Sequence, residues 1–260
     1  MLRIDAASRS AYCTGPVQSS DALLLAGGGL VAGVVNTLAG AGSLITVSLL
    51  TFVGLPGTVA NGTNRIGVLL QYAAATWAFR REGLGDVRAG LPLLLPGVAG
   101  ALLGALTISR LSDAFFQRAF GVVMLVLLIP LLRPRNPAQR LRPLAPLPRG
   151  LLFFAIGLFG GAFQAGVGIL LLYALSAGGQ DLVRSNAAKA LFNLCFIVVT
   201  LPVFWSAQQI ALPEALVLAS GFVAGGLLGP RLAVRGGERV IRPVVACAVV
   251  ALAGRMFGLY

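Results

Sequence analysis

Apolar residues run along this chain in long stretches, at 22–38, 43–54, 66–79, 89–108, 114–132, 150–163, 166–179, 187–205, 213–230 and 241–259. Several approach the ~20 residues with which a helix crosses a bilayer, so the pattern predicts an all-α integral membrane protein. Two are too short to cross. Ser43 to Val53, at ~1.5 Å per residue, reaches about half of a ~30 Å hydrocarbon core.

The pattern also occurs twice. Gly40-Ala41-Gly42-Ser43 recurs as Gly166-Val167-Gly168-Ile169, and Asn61-Gly62-Thr63-Asn64-Arg65 as Asn186-Ala187-Ala188-Lys189. Gly100-Ala101-Leu102-Leu103-Gly104 recurs as Gly225-Gly226-Leu227-Leu228-Gly229, each followed by an arginine (Arg110, Arg235) and an acid (Asp113, Glu238). The copies stand about 125 residues apart. This divides the chain into a polar tail (1–21), a first transmembrane repeat (22–132), a basic, proline-rich linker (133–149) and a second repeat (150–260), each repeat with four to five hydrophobic helices. A duplicated membrane domain with broken helices is the form taken by secondary transporters, whose substrate site lies where the repeats meet.

Loop charge constrains how the repeats are related. The linker holds Arg133, Arg135, Arg140, Arg142 and Arg149 among five prolines, which marks an extended cytoplasmic segment. Arg80, Arg81 and Arg88 lie in the 80–88 loop, whereas its counterpart at 206–212 is uncharged; Arg110 stands alone in the next loop, against Arg231, Arg235 and Arg239 in the second repeat. If basic loops face the cytoplasm, corresponding loops face opposite sides, as in an inverted repeat with an odd number of crossings. The glycine-broken openings (22–54 and 150–179) must then enter and return, as re-entrant hairpins or as two crossings. The alternative is a long kinked helix in each, giving eight crossings and parallel repeats.

Composition agrees with a membrane class: 11% charged residues, 57% hydrophobic and a mean hydropathy of +0.90, where globular domains average about a quarter charged. The formal charge of +12 comes from arginines in loops, not from a basic face, which argues against nucleic acid. No apolar core of signal-peptide length precedes residue 21, so no cleaved leader is expected. Cys13, Cys195 and Cys247 are too scattered for a disulfide framework or a zinc site.

Candidate chemistry concentrates at the breaks. Irregular backbone at membrane depth is tolerated only inside protein or beside an aqueous cavity. A helix that begins after Gly40 and Gly42, or after Gly166 and Gly168, presents unpaired N–H groups and the positive end of its dipole, which suits an oxyanion. Ser43 can cap that helix or donate to a substrate oxygen. The plainer explanation of these glycines is close helix packing. Arg65 and Lys189, placed as equivalents and each leading into an apolar helix, are joined by Asn61, Thr63 and Asn64, by Asn186, and by Asn193 one turn past Lys189. Intramembrane cations face a cavity or a partner, unless they snorkel to the interface from a helix end. With amide donors and two helix N-termini, they form a site for a small anion.

There is no histidine, and the eight acids (Asp5, Asp21, Glu82, Asp86, Asp113, Asp181, Glu214, Glu238) fall in the tail, loops or helix ends. No catalytic group, metal site or cofactor is therefore expected, and no embedded carboxylate to couple protons or sodium. An intramembrane enzyme or assembly factor lacks the residues it would need.

These residues carry a resemblance. Thr37-Leu38-Ala39-Gly40-Ala41-Gly42-Ser43-Leu44, Gly54-Leu55-Pro56, Gly62-Thr63-Asn64-Arg65 and Phe79-Arg80-Arg81-Glu82-Gly83, with Ala188-Lys189-Ala190-Leu191-Phe192-Asn193 and Gly229-Pro230-Arg231-Leu232 leading to Ile241-Arg242-Pro243, resemble the sulfite exporter TauE/SafE family over about residues 22–259. The resemblance implies a multi-pass permease of the bacterial inner membrane for sulfite, organosulfonates or related anions. Against alternating-access export stand a passive anion channel and an uptake permease for another small anion. The chain departs from the family at Gly40-Ala41-Gly42-Ser43 and Gln164-Ala165-Gly166-Val167-Gly168-Ile169, the positions expected to touch substrate.

Overall fold

The computed structural model describes residues 17–84, 90–132, 145–176 and 182–234. They form nine helices and, among the described residues, no strand: α1 (Ser19–Ala39), α2 (Gly42–Phe52), α3 (Gly57–Arg81), α4 (Leu91–Ile108), α5 (Asp113–Leu132), α6 (Pro146–Phe163), α7 (Val167–Ser176), α8 (Leu182–Ser206) and α9 (Leu212–Val234). Most of the polar tail and of the linker, Arg88, the loop at Arg235 to Arg239 and the last apolar stretch lie outside the described residues. α1, α4 and α8 contain spans long and apolar enough to cross a membrane. The exterior is apolar and the otherwise apolar core encloses polar residues: Leu23, Leu95 and Leu147 are more than three-quarters exposed, whereas Asn61, Asn64 and Arg65 are 0% exposed. Lipid imposes this sorting, because it accepts apolar side chains freely and offers polar groups no partner.

The glycine break after α1 reverses the chain. Gly40 adopts φ +73°, a left-handed conformation natural to glycine, and its N–H returns to the carbonyl of Asn36 at 2.9 Å. α2 then runs back along α1, with Leu49 beside Gly28 and Gly42 against the carbonyl of Ala32 and the side chain of Asn36. The opening segment is thus a full helix with a return of 11 residues, about half the hydrocarbon thickness; a single kinked helix does not describe it. Between α6 and the 10-residue α7 the chain turns through Gln164 (φ +59°) and Gly166 (φ +73°), and Val167 folds onto Gly160.

Two helix pairs make backbone-close contacts through glycine. Between α1 and α9, a Cβ on Gly29 or Gly33 would collide with the carbonyls of Leu218 and Phe222, and one on Gly221 or Gly225 with those of Ala26 and Leu30. Between α6 and α4, Gly157 and Gly161 meet the carbonyls of Gly97 and Ala101, and Gly100 and Gly104 those of Phe154 and Leu158. Every member of the first set maps onto the second by one shift per helix, 128 residues from α1 to α6 and 121 from α9 to α4. Small residues let helices approach closely where lipid provides no hydrophobic drive for association. The sequence motif pairs Gly100 and Gly104 with Gly225 and Gly229; the contacts instead give Gly100 the role of Gly221, and Gly104 that of Gly225. The difference is four residues, about one helical turn, which preserves the helix face.

α3 and α8 occupy the centre. They pack on each other, α3 also on α9, α2 and α5, and α8 on α4, α7 and α6. Both span 25 residues, and each is followed by a left-handed residue, Gly83 (φ +74°) and Gln208 (φ +54°). At the opening of α3 the Thr58 N–H donates to Asp113 Oδ1 at 2.9 Å, so the first residue of α5 satisfies a helix N-terminus. Phe116 and Phe120 of α5 stack at 5.4 Å and lean on Phe163 of α6.

Candidate functional site

Arg65 sits within α3 and is wholly buried. Its guanidinium reaches across to α6 and α8: Nη1 donates to Thr200 Oγ1 at 2.8 Å and to Gln164 Oε1 at 3.3 Å, and Nη2 donates to the carbonyl of Gly161. The ring of Phe204 covers it at 4.2 Å, a cation–π contact strengthened by the absence of water. Every one of these partners is neutral, and among the described residues the Nε–H has no partner. A buried cation held by dipoles alone keeps its charge available to an anion.

One residue earlier, Asn64 faces the glycine break. Its Oδ1 accepts from Thr46 Oγ1 at 2.6 Å, and among the described residues its Nδ2 donors have no partner. Thr46 stands one turn inside α2 and also donates to the carbonyl of Gly42 at 3.4 Å. The unsatisfied amide therefore lies beside the first turn of α2, where Gly42 and Ser43 are buried. A helix N-terminus and two unbonded donors from α3 are what an acceptor-rich ligand requires.

The other sequence candidates divide. Gly168 is drawn into the break, against Gly40, while Gly166 turns the chain beside Leu127 of α5. Asn61 donates to the carbonyl of Ala162 at 2.7 Å and leaves its Oδ1 unbonded. Thr63 Oγ1 accepts the Ala211 N–H at 2.9 Å at the start of α9, beside Gly62, which packs on the carbonyl of Gln209. Lys189 is buried at 4% exposure, Asn193 returns its Nδ2 to the Lys189 carbonyl at 2.9 Å, and Asn186 is half-buried near the start of α8. Neither Arg65 nor Lys189 sits at a helix end. The helix ends set the two cations one residue out of register. With α3 and α8 aligned from their shared ends, Arg65 falls on Ala190 and Lys189 on Asn64. A one-residue offset turns a helical side chain by about 100°.

Four polar residues inside the apolar stretches join the cluster without having been singled out by pattern, and Gln164, in the second departure from the family, joins them. Asn36 Nδ2 donates to Gln71 Oε1 at 2.7 Å and to the Tyr72 hydroxyl at 3.2 Å, and Gln164 and Thr200 hold Arg65. Their signal in the sequence is that each interrupts or bounds an apolar run, where a polar side chain is costly unless it is used. Among the described residues no three His, Cys, Asp or Glu side chains gather as metal ligands.

The family model for the sulfite exporter TauE/SafE matches residues 25–256. A "Probable membrane transporter protein" of Haemophilus influenzae is 27% identical over 88% of this chain and 91% of its own length. "Probable membrane transporter protein ORF9" of Sinorhizobium is 25% identical over 87% of this chain and 88% of its own, and "Probable membrane transporter protein YfcA" of Escherichia coli K12 is 23% identical over 87% and 86%. No solved structure matches. A bundle of broken and spanning helices around a buried, uncompensated arginine is consistent with these relatives, and the chain belongs to the TauE/SafE sulfite exporter family of membrane transporters.

Proposed function

We propose that the protein exports or exchanges a small sulfur-containing oxyanion, such as sulfite or an organosulfonate, across the bacterial inner membrane by alternating access. The observation that carries this reading is Arg65, wholly buried, partnered only by neutral groups, with its Nε–H and the neighbouring Asn64 amide unbonded. The anion would sit between these donors and the opening turn of α2. For one negative charge, outward movement gains ~2.3 kcal/mol per 100 mV in a cell that is negative inside, so export needs no coupling ion.

Alternating access further requires two related halves. The two glycine interfaces, alike in their carbonyl contacts and shifted by a constant number of residues in each helix, support a repeat, and the reversal of loop charge supports its inversion. In this arrangement each half of the chain lends its fourth helix to the first helix of the other half.

Labelled-sulfite counterflow in proteoliposomes tests the reading. Unlabelled sulfite on the far side should accelerate entry of label, as a carrier that returns loaded requires. Electrical conductance without such acceleration would establish a channel instead, and no sulfite-dependent flux in either assay would remove sulfite as the substrate.

A further inference from the structure

Two sockets of the same construction lie three residues beyond matching glycines. At the end of α1, the carbonyl of Gly33 accepts from Gln71 Nε2 at 3.1 Å and the Asn36 amide donates to Gln71 Oε1 at 2.7 Å. At the end of α6, the carbonyl of Gly161 and the amide oxygen of Gln164 both accept from Arg65. Gly33 and Gly161, and likewise Asn36 and Gln164, are related by the 128-residue shift of the glycine interfaces. α3 fills both sockets, one with a neutral amide and the other with a cation.

The second socket is built at a backbone cost. Gln164 has φ +59° and ψ −30°, and the Ala165 N–H reaches the carbonyl of Phe163 at 2.6 Å, closing a γ-turn around Gln164. This form of the turn is rare and strained, and glycine would adopt it more easily. A buried glutamine there, 2% exposed, is explained by its side chain: Oε1 accepts from Arg65 and Nε2 donates to Asn193 Oδ1 at 3.4 Å. The amide thus ties the α3 cation to α8 from the break between α6 and α7. Glutamate would offer the same reach but would cancel the arginine charge. Asparagine tolerates positive φ but is one methylene short.

We infer that Gln164 is the positioning residue of the anion site, holding the Arg65 guanidinium in register while leaving its charge for the transported anion. The inference rests on the reading of Arg65 given above. A charged hydrogen bond is the kind of contact whose loss changes affinity about tenfold or more.

The test compares full-length wild type, Gln164→Gly, Gln164→Asn, Gln164→Glu and Arg65→Gln. Melting temperature in detergent is measured with and without sulfite, and half-saturation and maximal sulfite flux in proteoliposomes. Gln164→Gly should melt no lower than wild type, since strain is relieved, yet have its half-saturation raised roughly tenfold, with a smaller change in maximal flux. Gln164→Asn should behave likewise, and Gln164→Glu should lose both the sulfite-induced rise in melting temperature and saturable flux. Stable Gly and Asn variants with wild-type half-saturation overturn the inference, as does failure of all three to fold, which would make Gln164 a purely structural residue. Wild-type half-saturation in Arg65→Gln instead removes Arg65 from the site, and with it the reading on which the inference stands.

Discussion

Gly40 and Gly168 touch through their backbones: a Cβ on Gly40 would lie 2.8 Å from the carbonyl carbon of Gly168, and one on Gly168 would lie 3.1 Å from the Cα of Gly40. The openings of the two half-length helices thus share a single point, which no side chain can enter. Gly40→Ala suffers both this collision and a φ of +73°, and should lose transport and lower the melting temperature by an amount corresponding to at least ~1–3 kcal/mol. Gly27→Ala, with open space around the added methyl, should be neutral or slightly stabilising. Equal behaviour of the two variants in flux and melting assays would contradict the contact.

The glycine interfaces are expected to fail alike. Gly33→Val drives a side chain into the α9 backbone, and Gly161→Val drives one into α4 in the matching register. Both should separate a helix pair and reduce folded protein in the membrane severely, measured as monodisperse protein recovered in detergent. Loss in one and tolerance in the other would end the correspondence between the two contacts.

The buried cation should report on affinity. In Arg65→Gln the anion loses charged hydrogen bonding worth ~1.5–3 kcal/mol, a roughly ten- to hundredfold rise in half-saturation for sulfite flux. Lys189→Arg should also impair transport, because a planar fork does not fit where a compact ammonium is buried. The check is concentration-dependent flux at equal protein density.

Topology follows from the ends of the two central helices. Glu82 and Ser206 are both exposed, just past the end of α3 and at the end of α8. In an inverted arrangement, Ser206→Cys should react with an impermeant thiol reagent from the periplasm and Glu82→Cys only after the cytoplasmic side is opened. Labelling of both from one side excludes inversion.

Much of this organisation is legible in the residues. Apolar run lengths place the helices, and the motif at Gly40 marks the reversal because a glycine pair inside an apolar run has few other uses. The burial of Arg65 follows from its position within a long helix. Partnership between distant helices is harder, since a small-residue spacing names a face but not the helix that meets it. For that reason Gly29, Gly33, Gly157 and Gly161 pass unnoticed, and the Gly100 motif aligns one turn away from its structural counterpart. The offset between Arg65 and Lys189 has a similar origin: similar local sequence aligns them, whereas helix ends decide register. Gln164 stands out as part of a departure from the family, but its role does not, because a polar residue between two apolar runs reads as a loop; the γ-turn and the bond to Arg65 are visible only in the folded chain.

The α1 to α9 contact bears on how the protein is made. Gly33 is synthesised roughly 190 residues before its partner carbonyl at Phe222, an interval of about 10–40 s at ~5–20 residues per second. By contrast, α4 meets α6 after only about 50 residues, from Gly104 to Leu158. The glycine face of α1 is therefore completed only when α9 has emerged, whereas that of α4 is completed by the next helix but one. A product that stops before α9 keeps the packing of α2 on α1 but leaves the Gly29 and Gly33 face of α1 without the backbone it meets in the folded protein.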